Sequence, residues 1–348
     1  MPVSPLDTTA DSGAASAAGL LPGSPDLRRL ASPKSGTWFD FRKSLTPNYA
    51  LAWFELALSI VLMIAGFLGH LALVIKYGNL FGLEIGILFI TWIGFWLNSV
   101  LTFGHEAAHY NMASDKNRND ALSDWTIWLF FPQSTKSYRR SHWQHHLHLG
   151  DHEDTEISYH NCLSPWFLAK AVTGVYLVSI VVRYFFRRRP HAQSQPAQAG
   201  AQSAGLVPIL RAIVTHSVFI SIALSLHAHS TAIVWLVAVI FVFPFFTSVR
   251  QILEHRSATS ACEIDFTKEL HGPVNRLFGI DFVSRFFGAA GFNRHLLHHW
   301  DPTVSYTCFD QMQSFLGETD LKPRLESATS TYFSTFVMLL KEAVRGNG

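Results

Sequence analysis

The chain of 348 residues is 49% hydrophobic and 14% aromatic but only 15% charged, and its mean hydropathy is +0.18. A water-soluble domain usually has about 25% charged residues, so the composition indicates an integral membrane protein and argues against a soluble globular or disordered one. The net charge of +2 gives no reason to expect nucleic-acid binding.

Two stretches have the composition of flexible segments. Residues 1–36 are rich in Ala, Ser, Gly and Pro, and they lack the basic start and apolar core of a signal peptide. Residues 187–205 begin with an arginine run and continue as a polar, low-complexity stretch. We therefore expect a disordered N-terminal segment, 1–36, followed by one membrane domain, 37–345, that contains a flexible loop at 187–205.

Four apolar stretches are long enough to cross a membrane. Each has about 20 residues, which spans ~30 Å of hydrocarbon as an α-helix. Short turns join the first stretch to the second and the third to the fourth, so two antiparallel hairpins are expected. The predicted spans are 50–75, 81–103, 206–228 and 231–249.

Histidine is unusually frequent, with 18 residues in a hydrophobic chain, and metal binding is the usual reason for such a number. Three motifs follow predicted spans or lie near them: HEAAH at 105–109, HWQHH at 142–146 and HLLHH at 295–299, with His255 shortly after the fourth span. Residues three and four apart lie on one helical face. Each motif can therefore direct two or three imidazoles to the same place.

The number of these histidines indicates two metal ions. One zinc ion takes about four ligands, so nine imidazoles are too many for one ion and enough for two with open positions. Imidazole suits iron, zinc, copper and nickel, and open positions are what O2 chemistry needs. Gln251, four residues before His255, is a candidate for contact with metal-bound water. The predicted ligands are His105, His109, His142, His145, His146, His255, His295, His298 and His299.

A fifth apolar stretch, 163–186, is ambiguous because it contains Pro165, Lys170 and Arg183. If all histidine motifs share one site, an even number of crossings must separate those after the second span from those after the fourth. The third and fourth spans already supply two crossings. We therefore expect 163–186 to lie in the membrane interface or to re-enter without crossing.

Basic residues are unevenly distributed between the two sides that this topology defines. The side opposite to the histidine motifs has only Lys76. The positive-inside rule then predicts that the histidine motifs and both termini face the cytoplasm. The predicted fold is all-α, with four transmembrane helices in two hairpins, an interfacial helix and a cytoplasmic histidine-rich cap. The basic residues on the histidine side are Arg42, Lys43, Lys116, Arg118, Lys136, Arg139, Arg140, Arg187, Arg188, Arg189, Arg250 and Arg256.

HEAAH, HWQHH and HLLHH, in this order and with this hydropathy, resemble the histidine boxes of the membrane-bound fatty acid desaturase and hydroxylase superfamily. The resemblance covers roughly residues 40–340. It implies that the eight box histidines bind two iron ions at the cytosolic face and that His255 is the family's additional histidine. Stearoyl-type relatives have an asparagine where this chain has Gln251, and the HxxxH first box is more similar to acyl-lipid desaturases than to the acyl-CoA type.

The resemblance implies O2-dependent oxidation of an unactivated C–H bond in a lipid or fatty acyl chain. Desaturation is the first expectation, and hydroxylation or ketone formation on a lipid or terpenoid is the alternative. The sequence has no Gly-rich dinucleotide motif, no cysteine set for an iron–sulfur cluster and no cytochrome b5-like HPGG. An external donor, a ferredoxin or a cytochrome b5-type protein, is therefore expected, and the basic surface could dock it. The aromatic stretches 92–96 and 125–131 are candidates for lining an apolar tunnel, or for an interfacial belt.

Residues around the motifs could support the ligands. A carboxylate that accepts the free N–H of a ligand imidazole fixes its tautomer. His148 and His152 are near the second motif but are not expected to be ligands, and Cys162, Cys262 and Cys308 are expected to be free thiols because their spacing suggests no framework. The candidate supporting residues are Asp151, Asp154, Glu156, Asn293 and Asp301. The histidines expected to serve packing or the interface are His70, His216, His227 and His229.

Two other functions fit parts of the pattern. HEAAH satisfies the HExxH motif of zinc metalloproteases, with Glu106 as general base, but this interpretation leaves both HxxHH motifs unexplained. A metal transporter would place histidines along a transmembrane path, whereas these are clustered at one side of the membrane.

Overall fold

The computed structural model describes residues 21–179, 205–266 and 268–345. Almost all of its regular structure is helical. The only strands in these residues are the short antiparallel pair β1 (Ala31–Ser32) and β2 (Gly36–Thr37). The helices are α1 (Trp38–Ser44), α2 (Tyr49–Tyr77), α3 (Asn79–Ala108), α4 (Lys116–Asp124), α5 (Thr135–His148), α6 (Pro165–Val172), α7 (Leu206–Ser225), α8 (His229–His255), α9 (Phe282–Phe287), α10 (His295–Trp300), α11 (Phe309–Leu316), α12 (Lys322–Ser327) and α13 (Tyr332–Arg345).

The four predicted spans are confirmed as α2, α3, α7 and α8, which are long and apolar enough to cross a membrane. Their bounds differ from the prediction mainly at the histidine side. α3 continues to Ala108 and α8 to His255, so both helices extend beyond their apolar stretches and include residues of the histidine motifs. Hydropathy misses these extra turns because their side chains are polar although they are buried in the protein.

Small residues allow the spans to pack closely. A Cβ atom on Gly66 of α2 would lie 2.4 Å from the ring of Trp92 of α3, and one on Gly94 of α3 would lie 2.7 Å from Val242 of α8. α8 contains a π-turn at 238–242 that ends two residues before Pro244, whose missing N–H breaks the regular helical ladder. The protein thereby keeps α8 as one continuous element that carries His255 to the site.

His70 and His216 have packing roles within the spans. His70 is buried, and its ring nitrogens lie 2.9 Å from Thr231 Oγ1 and 3.0 Å from the Gly82 carbonyl oxygen. His216 Nε2 lies 3.1 Å from the Phe130 carbonyl oxygen. Both contacts join α2 or α7 to neighbouring elements far from the other histidines.

The ambiguous stretch 163–186 is only partly described. α6 ends at Val172 after eight residues, which is too short to cross a membrane, and Gly174 has a positive φ of 76° that interrupts the helical path before residues 175–179, which are helical again. Trp166 is 68% exposed, as expected of an interfacial helix. Residues 180–186 and the predicted loop, up to residue 204, lie outside the described residues.

The N-terminal segment differs from the sequence expectation after residue 20. Residues 27–29 form a 3-10 turn and residues 31–37 contain the β1–β2 pair. Leu27 is only 6% exposed because it packs in a second apolar core with Trp38, Leu297 and Phe315. Composition alone suggested disorder here, but one apolar side chain attaches this segment to the cap. Residues 1–20 lie outside the described part.

The expectation of free cysteines is wrong for two of the three. Cys162 and Cys262 form a disulfide, with their Cα atoms 5.3 Å apart, whereas Cys308 is free and buried. The two bonded cysteines are 100 residues apart in sequence, so their spacing gave no indication of the contact. The bond joins the segment after the second histidine motif to the segment after His255.

Candidate metal centre

The structure brings all nine predicted histidines together at one end of the spans. His105 lies in the last turn of α3, His109 directly after it, and His255 is the last residue of α8. α5 and α10 supply the remaining six. None of the nine is more than 5% exposed.

These histidines form two separate groups. Within each group the ligand atoms all lie within 4.8 Å of one another. The first group consists of His105, His109, His142, His146 and His298. The second group consists of His145, His255, His295 and His299.

Helical geometry explains how each HxxHH motif serves both groups. His142 and His146 are four residues apart and project together into the first group, while His145 is rotated by about 100° from His146 and enters the second. α10 follows the same geometry with the groups exchanged. His295 and His299 enter the second group, and His298 enters the first. α5 and α10 therefore both contribute to each group.

The nitrogen atoms converge as ligands around a metal ion would. His146 Nε2 lies 3.0 Å from His142 Nε2 and 2.9 Å from His298 Nε2, and His295 Nε2 lies 3.1 Å from both His255 Nε2 and His299 Nε2. Two nitrogens that bind one metal at about 2.1 Å and a right angle are about 3 Å apart. The spacing therefore fits shared coordination.

Several ring nitrogens are buried without a protein partner. Among the described residues, both ring nitrogens of His105 and His109 and the Nε2 atom of His145 have no hydrogen bond. An unsatisfied buried polar atom costs about 1–3 kcal/mol, and a bound metal ion would satisfy those that face it. This donor set of imidazole nitrogens fits iron, zinc, copper or nickel.

The protein environment favours the neutral, metal-binding form of four of the imidazoles outside the spans. Burial, followed by the charges of neighbouring histidines, lowers the pKa of His109, His146, His298 and His299 well below the usual value. These rings are therefore neutral at physiological pH, as metal binding requires.

Two of the candidate supporting carboxylates contact predicted ligands. His142 Nδ1 lies 2.8 Å from Glu156 Oε1, and His145 Nδ1 lies 2.9 Å from Asp154 Oδ1. Each contact directs Nε2 of the same ring toward the metal group. Burial alone would raise the pKa of Glu156, but His145 and the hydrogen bond with His142 outweigh it and lower this pKa, so the carboxylate stays charged.

Gln251 is linked to the histidines through Glu156. Its Nε2 donates to Glu156 Oε2 at 2.8 Å, so it orients the carboxylate that contacts His142. Its predicted contact with metal-bound water stays a prediction.

The other candidate supporting residues have different partners. Asp301 pairs with Arg42 at 2.9 Å, the Asn293 side chain donates to the Gly279 carbonyl oxygen at 2.6 Å, and Asp151 lies 4.0 Å from His148. Neither His148 nor His152 belongs to either histidine group. Proximity in sequence therefore led to the two carboxylates that contact predicted ligands, Asp154 and Glu156. The other three candidates, Asp151, Asn293 and Asp301, have other partners.

A buried ion pair beside the second group was not recognised from the sequence. Arg250 Nη1 donates to both carboxylate oxygens of Glu254, at 3.1 and 2.9 Å, and Glu254 Oε2 lies 3.9 Å from His295 Nε2. The i, i+4 spacing of an arginine and a glutamate next to His255 is the signal that could have found it.

Glu106 and Phe292 also lie against the histidines. Glu106 is 1% exposed, and its Oε2 accepts the backbone N–H of Tyr306 at 3.2 Å. The Phe292 ring lies 4.5 Å from the His105 ring and 4.9 Å from the His295 ring, between centroids. The carboxylate that a protease would use as general base is thus enclosed beside nine histidines.

Fold and site together define an all-helical membrane protein with two histidine groups that could each hold a metal ion. The chain matches the Fatty acid desaturase family over residues 82–326, which is 245 of its 348 residues. It therefore belongs to the fatty acid desaturase family, and the resemblance of its three motifs is confirmed. A search of curated proteins found no match. Family and site make the chain a membrane oxidoreductase that acts on lipids.

Proposed function

We propose that the chain uses two iron ions and O2 to desaturate a fatty acyl chain. The observation that carries this proposal is the pair of buried histidine groups, one of five and one of four imidazoles, at the same end of four apolar helices. Each group would hold one iron, with the nine predicted histidines as ligands. Bound iron would supply the activation of O2 and the removal of hydrogen from an unactivated CH2.

The chain's own residues prepare the site for this chemistry. Asp154 and Glu156 orient His145 and His142 through their Nδ1 atoms. Burial of all nine imidazoles excludes bulk water, which would otherwise compete for the open positions. Desaturation removes two hydrogens from the substrate and reduces O2 to two water molecules, so two further electrons and two protons are needed. An external ferredoxin or cytochrome b5-type donor supplies these electrons in our proposal.

We further propose that residues 37–345 act as one membrane domain with the site and both termini on the cytoplasmic side. The support is the excess of lysine and arginine on the histidine side. The disulfide between Cys162 and Cys262 points the other way, since such bonds are typical of oxidising compartments. The charge distribution involves many residues and the disulfide only one bond, so the charge distribution determines the orientation that we propose. An activity reporter fused after Gly348 tests on which side of the membrane the C-terminus lies. Reporter activity characteristic of the periplasm or the exterior would overturn this orientation.

Metal analysis together with lipid profiling tests the function. We expect purified protein to contain two irons per chain and cells that express it to accumulate an unsaturated lipid product. His145→Ala should abolish the product, whereas His148→Ala, on the same helix but outside both groups, should retain it. Zinc at one per chain with iron absent would overturn the iron claim. A hydroxylated or ketone product in place of an alkene would overturn desaturation but not the oxidation of a lipid.

A further inference from the structure

An apolar helix lies beside the spans after the last predicted crossing. α9 is only six residues long, yet Phe282 is 81% exposed, Val283 57% and Phe287 47%. Phe333, at the start of α13, is 78% exposed, and Tyr332 next to it contacts Phe287, with 6.3 Å between ring centroids. A contiguous aromatic surface of this kind indicates contact with a membrane or a partner.

Contacts with the spans show the depth at which α9 lies. Phe286 stacks on Phe95 of α3 at 4.8 Å and contacts Trp96 at 5.7 Å, between centroids. Phe95 also contacts Phe246 of α8 at 5.6 Å. Trp96 precedes His105 by nine residues, which corresponds to about 14 Å along the helix axis. Phe246 precedes His255 by the same number, so two spans independently give the same depth below the histidines.

Counting from the other end of α3 places this level inside the hydrocarbon layer. Phe95 lies fifteen residues, or about 22 Å, from Leu80 at the start of α3. The hydrocarbon layer is about 30 Å thick. The exposed face of α9 is therefore continuous with the lipid-facing surface of the spans. This position favours contact of α9 with lipid and not with a protein partner. Its one charged side chain, Arg285, extends toward Asp310 at 3.7 Å and marks its water-facing side.

The chain then turns from α9 directly to the histidine groups. Ala290 and Gly291 both have positive φ, 51° and 78°, which ends the helical path. A Cβ atom on Gly291 would lie 2.4 Å from Tyr306 Cβ, so only glycine fits this turn. The next residue, Phe292, is 3% exposed.

Phe292 stands between the two histidine groups. Its ring contacts His105 of the first group and His295 of the second. The Arg250 guanidinium carbon lies 3.9 Å from the centroid of the same ring and fixes it from one side. A substrate carbon that approached the two groups from this side would therefore lie close to this ring.

We infer that the segment 281–292 forms the entrance through which the acyl chain of a bilayer lipid reaches the metal pair, and that Phe292 sets how far the chain advances. The inference rests on the proposed function. It names the substrate class as an acyl chain resident in the membrane, with α9 beside its path and Phe292 as a specificity-determining residue next to the reacting carbons.

The position of α9 is tested without any activity measurement. A nitroxide label at Phe282→Cys, in full-length protein with Cys308→Ser, is reconstituted in phosphatidylcholine vesicles. We expect this label to be more accessible to O2 than to a water-soluble nickel chelate, like a control label at Leu88→Cys on the lipid-facing side of α3. A label at Asp320→Cys, in the exposed cap, should show the opposite. Preferential access of nickel at 282, or protection from both reagents, would overturn the inference in favour of water or a protein partner.

The role of Phe292 is tested by product analysis. Phe292→Leu and Phe292→Ala should retain both irons and change the ratio of double-bond positions or of chain lengths at least fivefold. Phe266→Leu is the matched control, because Phe266 is also buried and contacts His160 and His271, which belong to neither group. Unchanged product ratios in both Phe292 variants with normal iron would overturn the assignment. Wild-type protein without iron or product would overturn the proposed function instead.

Discussion

The two histidine groups differ in the number of imidazoles and in how the protein holds them. The first group has five histidines, but among the described residues the Nδ1 atoms of four of them have no hydrogen-bond partner: His105, His109, His146 and His298. The second group has four, and two of them are fixed from outside, His145 by Asp154 and His255 by the Val274 carbonyl oxygen at 2.9 Å. The Arg250–Glu254 ion pair lies beside the second group as well.

This difference indicates a compensation between the two groups. The group with more histidines has fewer that the surrounding protein orients, and the group with fewer histidines has more. In our proposal the first group has more ligands than the second, only His142 among them is oriented by a carboxylate, and the other four depend on the metal for their orientation. The second has fewer ligands, which leaves a position open, and depends on the surrounding protein for its geometry. Substitutions should therefore affect the groups unequally.

Removal of one ligand from each group should have the largest effect. His109→Ala leaves four histidines in the first group, and His299→Ala leaves three in the second. We expect His299→Ala to lose one of the two irons during purification and His109→Ala to retain both. Both variants should lose product formation by more than about 100-fold, since even the loss of an outer contact costs 10–100-fold. Iron loss that is equal in the two variants would refute the difference between the groups.

Loss of the buried ion pair should destabilise the protein next most strongly. Arg250→Met leaves the buried Glu254 carboxyl group without its partner, and removal of one partner of a buried ion pair typically costs about 3–5 kcal/mol. The control is Lys322→Met, because Lys322 and Glu326 form an exposed pair at 3.9 Å that contributes at most about 1 kcal/mol. Reversible unfolding in detergent measures both. Equal changes in the free energy of unfolding would show that the Arg250–Glu254 pair contributes little.

The disulfide should contribute about 2–4 kcal/mol to stability, because it closes a long loop in the unfolded chain. Cys162→Ser should therefore lower the unfolding midpoint, while Cys308→Ser, at the free cysteine, should have a smaller effect. Detection of three free thiols in unfolded, unreduced wild-type protein would exclude the bond itself.

The outer carboxylate of the second group should have the smallest of these effects. Asp154→Asn keeps the size of the side chain but weakens its contact with His145 Nδ1, and metal affinity of this group should fall 10–100-fold. Asp151→Asn, three residues earlier and in contact with neither group, is the control. Chelator competition measures the affinity, and identical curves for both variants would exclude a role for Asp154.

Much of this arrangement could be predicted from the sequence because it depends on local patterns. Apolar stretches of about 20 residues identify the spans, and a spacing of four identifies the histidines that share a group. The expectation that a spacing of three also brings histidines to the same place is wrong for both HxxHH motifs, because His142 and His145 enter different groups. Residues four apart, such as His142 and His146, stay together, whereas the intermediate His145 enters the other group.

Other features depend on contacts that local patterns do not reveal. Cys162 and Cys262 are 100 residues apart, and Leu27 orders its segment only by packing on the cap. α9 is too short to be recognised as a membrane element by length, and only its contacts with Phe95 and Trp96 show its depth.

Anomalous diffraction at the iron absorption edge tests the central claim most directly. Crystals of the purified, iron-loaded protein should show two separate peaks, one among His105, His109, His142, His146 and His298 and the other among His145, His255, His295 and His299. A single peak, or a signal at the zinc edge alone, would contradict a two-iron centre held by these two groups.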